Sequence, residues 1–236
     1  MNKGKRIAAL ISLLVLACAL VFVAYELFQV REIKVSGCVT IEAEQIAEQA
    51  GVEYGQCIIF VDTDAAMKAL AANPRVKPVS VKIVFPYSVV IEIAERTPAG
   101  YIDADGVRLT IDSEGVLLAV DMNPAGEVFP QVTGFSTARF EVGQPLGEDA
   151  YKRTVFSGLL SAIRNSGIDI VRIDLTYTSA IKLGTKDGYT LELGNENKLD
   201  TKLSLAAYAM AEIAAQGKTG GILDVATAEK AYYREN

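Results

Sequence analysis

Residues 76–98, VKPVSVKIVFPYSVVIEIAERTP, constrain this chain more than any other stretch. Val79, Val81, Ile83 and Phe85 alternate with mostly polar neighbours, and so do Tyr87, Val89, Ile91 and Ile93. A period of two is the signature of half-buried strands. Both apolar sets must face one core, and directly opposed residues share a face, so the intervening turn holds an odd number of residues. A three-residue turn of Pro86, Tyr87 and Ser88 predicts Phe85 opposite Val89, Ile83 opposite Ile91 and Val81 opposite Ile93. That register also sets Lys82 across from Glu92 on the wet face, where opposite charges attract. The hairpin then needs a covering layer from elsewhere in the chain.

The preceding residues supply one. Phe28, Val30, Ile33 and Val35 predict a first strand, closed by Ser36 and Gly37. Thr40 can cap a helix over residues 41–50, with Glu42 and Glu44 near the positive end of its dipole and Gly51 stopping it. Residues 58–61, IIFV, read as a short buried run, and Asp62 or Thr63 caps a second helix that Pro74 terminates. The order β-α-α-β-β places two short amphipathic helices over a three-stranded sheet. Cys38 and Cys57 flank the first helix. Two lone cysteines in a domain of this size are more often small core residues than a bridge.

Ahead of this domain, residues 7–28 form an apolar run in which only Ser12 and Glu26 are strongly polar. As a helix it is about 33 Å long, against a hydrocarbon core of about 30 Å. Lys3, Lys5 and Arg6 precede it, which keeps the N-terminus in the cytoplasm and sends the remainder outward. Ala17, Cys18 and Ala19 also have the small-x-small look of a signal-peptidase site, and Val15 to Cys18 loosely matches a lipoprotein box. Largely apolar sequence continues for nine residues past both, so an uncleaved single-pass anchor is the expectation.

Beyond residue 30 there are 20 Lys and Arg against 28 Asp and Glu. An ectodomain this acidic repels phosphate backbones, so nucleic acid is not an expected partner. The chain contains no histidine. Ser-His-Asp and Cys-His catalysis and His-ligated zinc are thereby excluded. No phosphate-binding glycine loop or paired CxxC occurs either. Asp103 with Asp105, and Asp112 with Glu114, are close carboxylates, but their DG and EG contexts are turn chemistry. Ser161, Ser166 and Ser204 lack a motif pairing them with a lysine. No enzyme activity, cofactor, metal or small-molecule substrate is expected.

After Pro98 the pattern changes to short strands around Tyr101, over residues 107–111 and over 116–120, separated by turns. Residues 123–126 read as a loop. Helices are predicted over residues 148–165, with Tyr151, Val155, Leu159 and Ile163 on one side, and over 199–216. Between them lie a strand at 170–175 and a second hairpin. There Leu183 opposes Leu191 and Lys182 opposes Glu192, around a loop of Lys186, Asp187 and a left-handed Gly188. Two final strands follow, at 221–226 and about 228–234.

The run from Phe28 to Pro98 resembles a POTRA domain, and the whole chain resembles the bacterial division proteins FtsQ and DivIB. The matching pieces are VREIKVSG just outside the anchor, IIFVDTD between the helices, NPRVKPVSVKIVFPYSVVIEIAERTP, DADGVRLTIDSEGVLL, and FPQVTG, which is similar to the family's LPxxxG element. Cys38 departs from the Asn common in the family after the glycine. The expected class is α+β: tail 1–6, transmembrane helix 7–28, POTRA domain 29–98 and a mixed β-rich domain 99–236 with two helices.

Function is expected at the last strand. Lying at the end of the chain, it has no later strand to pair with, and an open edge offers its backbone to another chain. Tyr232 and Tyr233 point to opposite faces, and tyrosine and arginine are enriched in interface anchors. An ordinary frayed terminus is the bland alternative. The resemblance implies that Lys230, Ala231, Tyr232, Tyr233 and Arg234 bind an FtsB- or DivIC-like protein by strand addition, together with an FtsL-like one, at the septal inner membrane. A POTRA-bearing secretion or sporulation component handling polypeptide is the other reading.

Overall fold

The computed structural model describes residues 3–122 and 129–235, and these form two compact units, Met1–Glu95 and Arg96–Asn236. The predicted loop at residues 123–126 lies outside the described residues. The class is α+β, as the alternation of patterns requires.

The first unit begins with helix α1, Lys3–Leu27, whose Leu10–Leu27 window is long and apolar enough to cross a membrane. Strand β1, Glu32–Ser36, follows, then α2, Ala43–Gln49, a 3₁₀ turn at Ile58–Phe60, and α3, Thr63–Ala71. Strands β2, Val76–Val84, and β3, Ser88–Glu95, complete a sheet of order β1-β3-β2, with β1 parallel to β3. Ile46 and Ala50 at α2 and Ala66 and Leu70 from α3 bury against Val89, Ile91 and Ile93. Asp62 caps α3, its carboxylate accepting from the amides of Asp64 and Ala65. This is the expected solution for an amphipathic sheet: one face dry under helices, one face wet.

Three local expectations are corrected. Ile83 pairs with Val89 and Val81 with Ile91, so the loop keeps odd parity but the register moves by two residues, with a bulge between Pro78 and Ser80. Phe85 and Tyr87 lie outside the core, and Phe85 packs edge-on against Phe28 with ring centroids 6.2 Å apart. Lys82 therefore sits opposite Val90, yet its ammonium still reaches Glu92 diagonally at 3.4 Å. In the run 58–61 only Ile58 is buried, since the 3₁₀ turn rotates Ile59 and Phe60 outward. Thr40 does not cap α2. Its hydroxyl and the amides of Val39, Thr40 and Ile41 all bond to the Glu95 carboxylate, at the end of the neighbouring strand β3. Cys38 and Cys57 are free thiols.

The second unit is built on one nine-stranded sheet of order β12-β11-β10-β9-β8-β7-β4-β5-β6. Strands β4, Pro98–Ala104, β5, Val107–Asp112, and β6, Leu117–Asp121, form a meander at one side. Strand β7, Gln131–Thr133, joins it to β8, Ile170–Asp174, after helix α4, Ala150–Ser166. Strands β9, Ile181–Thr185, and β10, Tyr189–Gly194, form the second hairpin, with Leu183 opposite Leu191 and Lys182 opposite Glu192. Gly188 takes the left-handed φ of 83° that the loop requires. Helix α5, Leu199–Ala215, then crosses over to β11, Gly221–Asp224, which runs parallel to β10, and β12, Tyr232–Arg234, closes the order.

Helices α4 and α5 share one core with the sheet through Val155, Phe156, Leu159, Leu203 and Ala206. Tyr151 lies off that face and donates its hydroxyl to Glu196 at 2.7 Å. That bond holds the phenol above its ordinary pKa and the carboxyl below its own. The paired carboxylates are turn fasteners. Asp112 accepts from the amides of Glu114 and Val116 and pairs with Arg96, while Asp103 pairs with Arg108.

Candidate functional site

The arrival of β12 at the sheet edge follows from local chemistry. Asp224 accepts from the amide of Ala226 at 3.0 Å, ending β11, and the amide of Val225 bonds back to the carbonyl of Glu192. Ala228 adopts a left-handed φ of 58°, and its amide closes a turn onto the Val225 carbonyl. The chain then returns antiparallel, pairing Tyr232 with Asp224, Tyr233 with Leu223 and Arg234 with Ile222. Gly221 makes this approach possible. At its φ of 108° a β-carbon would sit 2.7 Å from both the Arg234 carbonyl oxygen and the Tyr233 ring. No side chain fits there.

The sequence-predicted residues divide in two. Tyr232, Tyr233 and Arg234 form the strand, whereas Lys230 and Ala231 lie in the lead-in, because the turn consumes residues 226–231. The strand is accordingly shorter than expected. Tyr232 is 58% exposed on one face. On the other, Tyr233 packs against the core, donates its hydroxyl to the Gly220 carbonyl at 3.1 Å, and lies under the Lys218 ammonium at 5.8 Å from the ring centroid. Ala231 packs beside it, and Lys230 is exposed.

Charges fix the edge from its solvent face. The Arg234 guanidinium meets Glu192 at 2.8 Å, and Glu192 also holds Lys182 at 2.9 Å. Lys218 pairs with Glu235, which raises the ammonium pKa and lowers that of the carboxyl. Burial, then the neighbouring Tyr233, pushes the Tyr189 phenol up; its hydroxyl donates to the Lys218 carbonyl. Surface ion pairs such as these are weak and screened by salt, so they orient the strand more than they stabilise it. Among the described residues, no strand pairs with the outer side of β12. A sheet edge of this kind can accept a further strand through main-chain hydrogen bonds.

Sequence reasoning missed Lys202. It is 2% exposed, and its ammonium donates to the carbonyls of Leu193 and Asn195, each at 2.8 Å, and to the Asn195 side chain. Burial lowers its pKa. Its place on the inward stripe of α5, between Leu199 and Leu203, is the signal that was available. Among the described residues no cluster of acidic or cysteine side chains could hold a metal ion.

Residues 28–96 match the family model described as POTRA domain, FtsQ-type. The chain is 26% identical over 204 residues to the cell division protein FtsQ of Anaeromyxobacter sp. (strain K), covering 84% of this chain and 67% of that protein. It is 24% identical over 192 residues to the cell division protein DivIB of Clostridium acetobutylicum, covering 80% and 77%. The FtsQ of Corynebacterium glutamicum is 32% identical over 146 residues, covering 60% and 64%.

Proposed function

We infer, for a chain that belongs to the FtsQ/DivIB family of bacterial cell division proteins, an adaptor's role in the division machinery with no chemical step. Helix α1 anchors it in the inner membrane with the basic tail in the cytoplasm, and both folded units lie outside. The edge of β12 receives a strand from an FtsB- or DivIC-like protein that arrives with an FtsL-like one, and the assembly helps control septal peptidoglycan synthesis. The observation that carries this reading is the outermost position of β12, held flat by Gly221 and Tyr233 with its far side unpaired among the described residues. Tyr232 stands beside it as an exposed aromatic anchor.

Comparing Tyr232→Pro with Tyr232→Ala tests this. Proline removes a ladder donor and alanine removes only the ring. Capture of a DivIC-type partner by the full chain is expected to fail with proline and to weaken with alanine. Equal capture by the proline variant and the parent would overturn strand addition.

A further inference from the structure

We propose that the end of the POTRA unit nearest α1 is a lipid-contacting cap, in which Ile59, Phe60, Phe85 and Tyr87 rest in the headgroup region of the membrane. This rests on α1 being a membrane span.

Two segments far apart in sequence meet at the residue that follows α1. The Phe28 carbonyl accepts from the Ile58 amide at 2.7 Å, and Gln29 bridges Cys57, which pins the 3₁₀ turn beside the helix exit. From the other side the Phe28 ring packs on Phe85, and the amide of Arg31 bonds to the Tyr87 carbonyl at 2.9 Å. Both segments direct apolar groups outward: Phe60 is 83% exposed, Ile59 60% and Phe85 62%, with Val84 and Tyr87 also exposed. Arg31 donates to the Glu26 carbonyl in the last turn of α1 at 2.8 Å, which ties this end of the domain to the helix.

Position identifies the occupant. Strand β1 starts at Glu32 opposite Ser88, so the hairpin tip and the helix exit share one end of the sheet, while Val39 and Glu95 lie at the other. The patch therefore starts where the apolar window Leu10–Leu27 stops. Exposed aromatic rings at that depth match the interfacial belt of membrane proteins, and an apolar face can sink about 5–10 Å into the headgroup boundary. The charges near the patch are of both signs, Arg31 against Asp62 and Asp64, so insertion depends on apolar area and neutral lipid suffices.

The chain has no tryptophan, so one introduced residue is a unique reporter. Full-length Phe60→Trp, Phe85→Trp, Val39→Trp and Leu16→Trp are reconstituted into phosphatidylcholine nanodiscs with spin label high on the acyl chain. Trp at 60 and at 85 is expected to be quenched about threefold more than Trp at 39. It is also expected to be shielded from aqueous iodide in nanodiscs and not in detergent. Incorporation of the chain with Leu16→Trp quenched, but 60 and 85 quenched no more than 39, overturns the cap and leaves the span intact. Shielding at 60 and 85 without lipid quenching means protein covers the patch, and also overturns it. Failure to incorporate overturns both readings. Because the two reporters sit on separate segments, misfolding at one leaves the other decisive.

Discussion

Replacing Glu95 by Gln tests the packing logic of the first unit. Its carboxylate, with a side chain 1% exposed, accepts from the amides of Val39, Thr40 and Ile41 at 2.8, 2.7 and 3.2 Å, and from the Thr40 hydroxyl, with Arg75 at 3.3 Å. Burial alone would raise its pKa, but the Thr40 hydroxyl and the three amides overcome that and hold it at about 2, against 4.5. A difference of that size caps the stabilisation at about 3 kcal/mol, and solvent near Arg75 reduces it to about 2. Glutamine keeps one neutral acceptor and presents an amide donor to donors, so a loss of about 2 kcal/mol is expected.

The sign of the pH dependence follows. A carboxyl whose folded pKa is depressed contributes fully above its unfolded value, and the contribution is lost as pH falls from about 4.5 through about 2. The deficit of Glu95→Gln should therefore be full at pH 7 and shrink through that window, because the parent loses what the variant never had. Pulsed hydrogen exchange across a urea titration of the full chain reads it locally. The midpoint for peptides of residues 30–95 should fall by about 1–2 M and that for 99–235 should not move. A deficit below about 0.5 kcal/mol, or one that stays constant from pH 7 to pH 3, would refute the reasoning.

Gly221→Ala should lift β12 from β11, since its β-carbon meets the Arg234 carbonyl and the Tyr233 ring; the strain is about 1–3 kcal/mol. Fast exchange confined to residues 231–235, with partner affinity reduced at least about tenfold, is the expected readout. Lys202→Met should cost about 1–3 kcal/mol by leaving the Leu193 and Asn195 carbonyls without a donor, seen as a lower midpoint for peptides of residues 189–206. Asp149→Ala removes the cap that accepts from the Lys152 amide at 3.0 Å and should cost about 1 kcal/mol by thermal unfolding.

The second hairpin was legible near its loop, where a left-handed glycine and the Leu183–Leu191 pair leave one register, but not the bulge after Glu192 that sets Ile181 opposite Gly194. In the first hairpin, parity came through but register did not. Phe85 and Tyr87 continue the apolar alternation in sequence while lying outside the core, and nothing local says so. The Thr40 cap failed for a similar reason, its true partner being a carboxylate 55 residues away. The inward stripe of α5 marked Lys202 as buried, but the carbonyls that satisfy it, Leu193 in β10 and Asn195 just after, lie outside the helix and were not legible from it. At the candidate edge the residue types were readable, but the left-handed turn at Ala228 that shortens the strand was not, since alanine rarely adopts it.

Hydrogen exchange of residues 231–235 in the full chain, with and without a bound DivIC-type partner, reaches the main proposal most directly. Strand addition predicts that the outward amides of β12 slow at least about tenfold on binding. A saturated complex in which those amides exchange at their free rates would contradict it.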